Sequence, residues 1–127
     1  MNALYKIKGT VIEGSKRGRK MGYPTLNMHA DSSIPEGIYV SQTVIDDITF
    51  NSITFVGRAI TFGETVFKAE TYILNFDRDA YGKNVDVFIL KLLRYNKKFD
   101  SEKDLVEQME EDKRLTEEFF NRDITKQ

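Results

Sequence analysis

The chain has 127 residues, with 19 Lys and Arg against 20 Asp and Glu, nine Phe, six Tyr and no cysteine. A chain of that length suits one domain that buries a single core, and its aromatic residues can supply much of that core. The lack of cysteine excludes a disulfide framework and a thiolate metal site, so a reducing, cytoplasmic location is expected. The opening run Met1-Asn2-Ala3-Leu4-Tyr5-Lys6 has no apolar stretch of signal-peptide length, and no run approaches the length that spans a bilayer. No membrane partner is therefore expected.

Charge is unevenly spread. Residues 1–63 carry seven Lys and Arg against five Asp and Glu, whereas residues 64–127 carry twelve against fifteen. The positive excess gathers at Lys16, Arg17, Arg19 and Lys20. A nucleic-acid footprint usually spreads a basic face over a whole domain, so one basic loop on a near-neutral chain fits a compact anionic ligand better.

In chain order, Tyr5–Glu13 is rich in β-branched and aromatic residues and stops at Gly14. Thr25–His29 alternates, with Thr25 and Asn27 pointing one way and Leu26 and Met28 the other. Gly37–Ile45 follows a Pro35-Glu36-Gly37 turn, and Asp46-Asp47 reads as a tight hairpin into Ile48–Phe50. Ile53–Val56, Lys68–Phe76 and Val85–Leu93 complete the strands. Short strands at regular spacing without intervening helices predict a closed barrel or a sandwich. From Asp100 the character changes: Ser101 and Asp104 approximate a capping box, and helix-forming residues run to about Asn121. Leu105, Met109, Leu115 and Phe119 recur at helical spacing, a stripe best read as packing against the barrel.

Few residue types are available for chemistry. The sole histidine, His29, has no companion histidine or cysteine, so metallohydrolase and Ser-His or Cys-His schemes lack support. Neither a G-x-x-x-x-G-K-[ST] loop nor a G-x-G-x-x-G fingerprint is present. The candidate phosphate device is the stretch from Gly14 to Asn27. Gly14, Gly18 and Gly22 let backbone N–H groups approach an anion, and the four cations attract it. Thr25 and Asn27 offer two neutral oxygens on one strand face, suited to a Mg²⁺ whose other ligands are phosphate oxygens and water. By composition alone such a loop is more often a solvated hairpin. Glu70 is the second candidate, a carboxylate in the apolar strand Lys68–Phe76 that must be paired, solvated by a cleft, or functional. With no usable histidine, a general base would have to be a carboxylate; a Glu on the solvent face of a strand is an equal alternative.

Taken together, these segments resemble the riboflavin kinases, including the kinase module of bifunctional bacterial FAD synthetases. Gly22-Tyr23-Pro24-Thr25-Leu26-Asn27 is similar to the family's G-F-P-T-A-N. Glu70-Thr71-Tyr72-Ile73-Leu74, Phe76-Asp77 and Asp79-Ala80-Tyr81-Gly82 resemble E-T-H-I-L…F-D-x-D-x-Y-G. Leu93-Arg94, Phe99-Asp100-Ser101, Leu105, Gln108-Met109 and Asp112 resemble L-R…F-x-S…L…Q-I…D. The matches run in register from about Gly9 to Asp112. Tyr72 stands where the family usually has His, Tyr23 where it often has Phe, and Phe55 and Ile60 replace an Asn and a Pro.

The resemblance implies a mainly β fold: a six-stranded Greek-key barrel over about residues 5–95 with one C-terminal helix over about 101–121, in a single domain. It implies ATP-dependent phosphorylation of riboflavin to FMN, with ADP as the other product and Mg²⁺ as cofactor. Glu70 would be the catalytic base. Thr25 and Asn27 would hold the metal, and Gly14, Arg19, Thr25, Asn27, Ile73, Asn75 and Tyr81 would contact ATP. Arg94, Lys97 and Phe99 would contact the flavin. A cytoplasmic monomer with no nucleic-acid partner is expected, either stand-alone or excised from a bifunctional enzyme. The alternatives are a catalytically silent flavin- or nucleotide-binding barrel and an oligonucleotide-binding barrel.

Overall fold

A computed structural model describes residues 2–12, 22–61, 64–76 and 78–125. Six strands precede the helix: β1 (Tyr5–Thr10), β2 (Leu26–His29), β3 (Gly37–Ile45), β4 (Ile48–Thr61), β5 (Glu64–Ile73) and β6 (Asn84–Arg94), then α1 (Glu102–Thr125). The order across the sheet is β1-β6-β3-β4-β5-β2, with every pairing antiparallel. β6 returns to lie beside β3, the first of three consecutive neighbours, which is a Greek key. The two edges approach at Ile12, whose N–H donates to the Asn27 carbonyl at 2.7 Å, nearly closing the barrel.

The β3–β4 hairpin forms as its sequence predicts. Asp46 and Asp47 take positive φ of 51° and 66°, the geometry of a two-residue turn that matches strand twist, and Asp tolerates it better than most residues. β4 differs from expectation: the predicted break at Asn51-Ser52 is absent, and one strand of 14 residues runs through it. The reason lies inside the barrel. Ser52 Oγ bonds Ser41 Oγ at 2.7 Å and Thr43 Oγ1 at 2.9 Å, while Thr54 Oγ1 bonds Ser41 at 2.8 Å and Thr71 at 2.9 Å. These five hydroxyls are almost wholly buried and satisfy one another, so polar residues can occupy inward positions of a central strand. The rest of the interior is apolar, built on Ile7, Met28, Tyr39, Val56, Ala69, Val87 and Ile89. β5 begins earlier than predicted and ends at Ile73, just before Asn75 turns the chain with a φ of 59°.

Ser101 caps α1: its Oγ accepts the Asp104 N–H at 3.1 Å. The helix lies on the outer face of β3 and β6, where Phe120 packs with Val40 and Leu90, flanked by Phe88, Leu93 and Phe119. Packing against the barrel is therefore as expected, but the most buried seam is Asp112, Thr116 and Phe120. Two of those three are polar, so an apolar stripe could not reveal them. A second tie is ionic: the Arg94 guanidinium donates to Asp112 from Nε at 2.9 Å and Nη2 at 2.8 Å, and Gln108 Nε2 donates to the same carboxylate at 3.0 Å. Among the described residues, no helix is long and apolar enough to cross a membrane.

Candidate active site

Alternation along β5 sends Ala69, Thr71 and Ile73 into the barrel, leaving Glu70 and Tyr72 on the outer face. Register then places Glu70 opposite Asn27 on β2 and opposite Phe55 on β4; Phe55 faces Ile38 on β3, and Ile38 faces Arg94 on β6. Five residues from five strands thus form one transverse row. Over it, α1 and the segment from Asn96 to Phe99 enclose a cleft of about 580 Å³. Ile38, Ile53, Phe55, Glu70 and Tyr72 form its floor, Phe99, Leu105 and Met109 its apolar far wall, and Tyr23 and Thr25 one end.

Burial in this cleft raises the Glu70 carboxyl above the ordinary carboxylate range, and Lys68 on the same strand offsets that in part. Asn27, 5% exposed, holds its amide against the Thr25 carbonyl, Nδ2 to O 3.4 Å. The Thr25 hydroxyl and the Asn27 amide oxygen are hard donors beside a carboxylate, which fits a Mg²⁺-like cation. No group of three or more His, Cys, Asp or Glu that could hold a metal occurs among the described residues. A cation here would take its remaining ligands from bound phosphate and water.

Of the residues singled out in the sequence, Glu70, Thr25, Arg94, Lys97 and Phe99 share the cleft, and Asn27 adjoins it through its pairing with Glu70. Arg94 is occupied by Asp112, and Phe99 is close to two cations, its ring centre 5.8 Å from the Arg94 guanidinium carbon and 5.3 Å from Lys97 Nζ. Ile73 is elsewhere, 3% exposed within the barrel core. Asn75 and Tyr81 lie in the turn beyond β5, where Tyr81 is 60% exposed and its N–H donates to Asp79 Oδ1 at 2.9 Å. That turn abuts the end of the chain leading to the glycine loop: Gly82 N–H donates to the Val11 carbonyl at 3.0 Å and Val11 N–H to the Lys83 carbonyl at 2.9 Å. Gly14 and Arg19 lie outside the described residues. His29 sits exposed at the end of β2, as its isolation in the sequence suggested.

Three further participants stood in the sequence only as motif positions or departures from them, with no role assigned. Tyr23 donates its hydroxyl to Glu110 Oε1 on α1 and packs edge-on against Tyr72, ring centres 5.1 Å apart at 61°. This pair ties the chain entering β2 to both the cleft floor and the helix. Asp112 anchors Arg94, and Phe55 stands beside Glu70. Phe55 and Glu70 are fifteen positions apart in the chain, and only the β4–β5 register, which no local pattern specifies, makes them neighbours.

Comparison with known proteins gives a consistent result. The family model described as riboflavin kinase (Flavokinase) matches residues 1–120. The trifunctional protein RibF/MnmA of Mycoplasmoides gallisepticum is 36% identical over 121 residues, 93% of this chain and 18% of that protein. The bifunctional riboflavin kinase/FMN adenylyltransferase of Listeria monocytogenes is 36% identical over 91% of this chain and 38% of its own length. The RNA-binding riboflavin kinase RibR of Bacillus subtilis is 32% identical over 84% of this chain and 47% of its own. A solved structure described as a macrolide-efflux protein from Streptococcus pneumoniae superposes with a TM-score of 0.80 at 35% identity, over 88% of this chain and 38% of that one. The chain thus spans less than half the length of each of these relatives. A family match along nearly the whole sequence, on a Greek-key barrel whose cleft gathers the family's motif residues, means that this chain belongs to the riboflavin kinase family.

Proposed function

We propose that the chain transfers the γ-phosphoryl group of ATP to the 5′-hydroxyl of the ribityl chain of riboflavin, giving FMN and ADP. The observation that carries this reading is the Glu70 carboxylate on the cleft floor, opposite Asn27 in the same row and with its proton affinity raised by burial. Glu70 accepts a hydrogen bond from the attacking hydroxyl, orients it, and takes its proton as the oxygen–phosphorus bond forms. The bond from the γ-phosphorus to the bridging oxygen breaks, and its electron pair leaves with ADP. Transfer of this kind depends on positioning and charge neutralisation more than on covalent chemistry.

Thr25 and Asn27 supply oxygen donors for Mg²⁺, which when bound neutralises and orients the transferring phosphoryl group. The nucleotide lies toward Asn75, Tyr81 and the chain leading to Gly14 and Arg19; Ile73, with its side chain in the core, takes part through its backbone. The flavin ring occupies the apolar cleft near Phe99, with Lys97 at its margin. Arg94 supports this wall through Asp112. The same reading takes the protein as a cytoplasmic monomer with no nucleic-acid partner; gel filtration and a salt-dependent RNA-binding titration test these two points.

Incubation of purified protein with riboflavin, ATP and Mg²⁺, followed by chromatography of the flavins, tests the activity. FMN should accumulate in proportion to protein and be absent without ATP. Flavin binding without FMN formation would reject the kinase in favour of a silent binder.

A further inference from the structure

Phe55 has no part in the chemistry described so far. It is half-buried on the cleft floor, paired across strands with the base Glu70 on one side and with Ile38 on the other. Opposed residues of an antiparallel pair hold their Cβ atoms about 4.5–5.5 Å apart, so the Phe55 and Glu70 side chains leave the sheet as neighbours on the cleft floor.

The ring is also seated in a particular way. It leans along its own strand over Gly57, so that a Cβ at Gly57 would stand 2.9 Å from Phe55 Cε1, 3.0 Å from Cζ and 3.4 Å from Asn96 Nδ2. Glycine at position 57 is therefore what leaves room for the ring in this position. Ile53 and Tyr72 extend the floor beside it, and Phe99, Leu105 and Met109 supply apolar surface from the far wall.

We propose that Phe55, seated on Gly57, is the specificity-determining residue of the acceptor side: its ring supports the flat aromatic body of the acceptor and thereby aims the attached hydroxylated chain at Glu70. This rests on the kinase reading for the identity of the acceptor, and it deepens that reading by assigning selection of a planar polycyclic body to two residues of β4. The physical basis is twofold. Stacked aromatic pairs gain from offset face contact beyond their buried area. A platform already held in place by its own strand loses little further freedom when the ligand arrives.

The test measures riboflavin affinity, by quenching of flavin fluorescence, for the wild-type chain, Phe55→Leu, Gly57→Ala and the double variant. ATP affinity by calorimetry and thermal unfolding are the controls. Phe55→Leu keeps an apolar residue but removes the ring face; Gly57→Ala keeps the ring but displaces it. Each single variant should weaken riboflavin binding about ten-fold, with ATP affinity changed less than about two-fold. In the double variant the alanine should add almost nothing, because the ring that it displaces is already gone. Should Gly57→Ala disturb β4, seen as a large drop in unfolding temperature, Phe55→Leu alone carries the test. Unchanged riboflavin affinity in Phe55→Leu, with a wild-type chain that binds riboflavin and makes FMN, overturns the inference and leaves the kinase standing. Strictly additive losses in the double variant overturn the seating of Phe55 on Gly57. A wild-type chain that binds no riboflavin removes the kinase reading, and this inference with it.

Discussion

At Glu70 a functional need and a structural cost meet in one side chain. Burial raises its carboxyl above the ordinary range, so the fold favours the protonated form. Its contribution to stability is fully present below the unfolded-state value, about 4.3, and is lost as pH rises through the folded-state value. At neutral pH the ionised carboxylate is therefore a net cost. Glu70→Gln is expected to unfold at the same or a higher temperature at pH 7, the gap closing in acid, while turnover falls by roughly 10²–10⁴. Near-normal turnover would refute the assignment of the base. In the wild-type chain the acid limb of kcat/KM should have its midpoint above the usual glutamate value, because only the ionised form accepts the proton. Thr25→Ala should raise the KM for Mg·ATP and leave riboflavin affinity nearly unchanged; an equal loss of both would point to a disturbed cleft. That Glu70 is a candidate base could be read from residue types, since no histidine was available, and the family resemblance implied the role. That it stands between Asn27 and Phe55 could not, because the period of a strand gives the face of a side chain and not its cross-strand partner.

Among elements, two ties position the cleft. The hydroxyl chain through Ser41, Ser52, Thr54 and Thr71 links β3, β4 and β5 beneath the floor. Thr54 bonds two partners, so Thr54→Val should cost about 1–3 kcal/mol by leaving buried hydroxyls unmatched. Urea unfolding should show it as a lower midpoint at unchanged slope; no change would mean that the neighbouring hydroxyls re-pair. The Arg94–Asp112 pair holds α1 against β6, with Arg94 21% and Asp112 5% exposed at the side chain. Removal of one partner from a fully buried pair costs about 3–5 kcal/mol, and since water still reaches Arg94, Asp112→Ala should cost somewhat less, about 2–3 kcal/mol. Riboflavin affinity should fall with it, because α1 walls the cleft. Local rules revealed the Asp46-Asp47 hairpin and the Ser101 cap, each of which depends on a few adjacent residues. They failed at Asn51-Ser52, where polar side chains suggest a turn until partners on other strands satisfy them.

For the whole molecule, the Greek key sets residues of five strands in one row, and a single cleft beneath the helix joins groups from four of them while Asn27 of β2 adjoins it. Any ligand that binds there favours the folded state. Riboflavin at about a hundred times its dissociation constant should add about 2.7 kcal/mol of stability, read as a rise in unfolding temperature that Phe55→Leu reduces at fixed concentration. Absence of the rise would mean that the cleft does not bind riboflavin. The sequence by itself determined the fold class, the tight hairpin, the helix and its cap, and the residue types able to serve as base and phosphate ligands, because alternation, turn chemistry and capping are short-range. It also carried the family's motifs in order. Only the tertiary structure decided that β4 is one strand, that Ile73 belongs to the core, that Asp112 holds Arg94, and that Phe55 stands beside Glu70. Each of these depends on strand register or helix docking, which satisfies polar groups and fills space across the barrel between residues far apart in the chain.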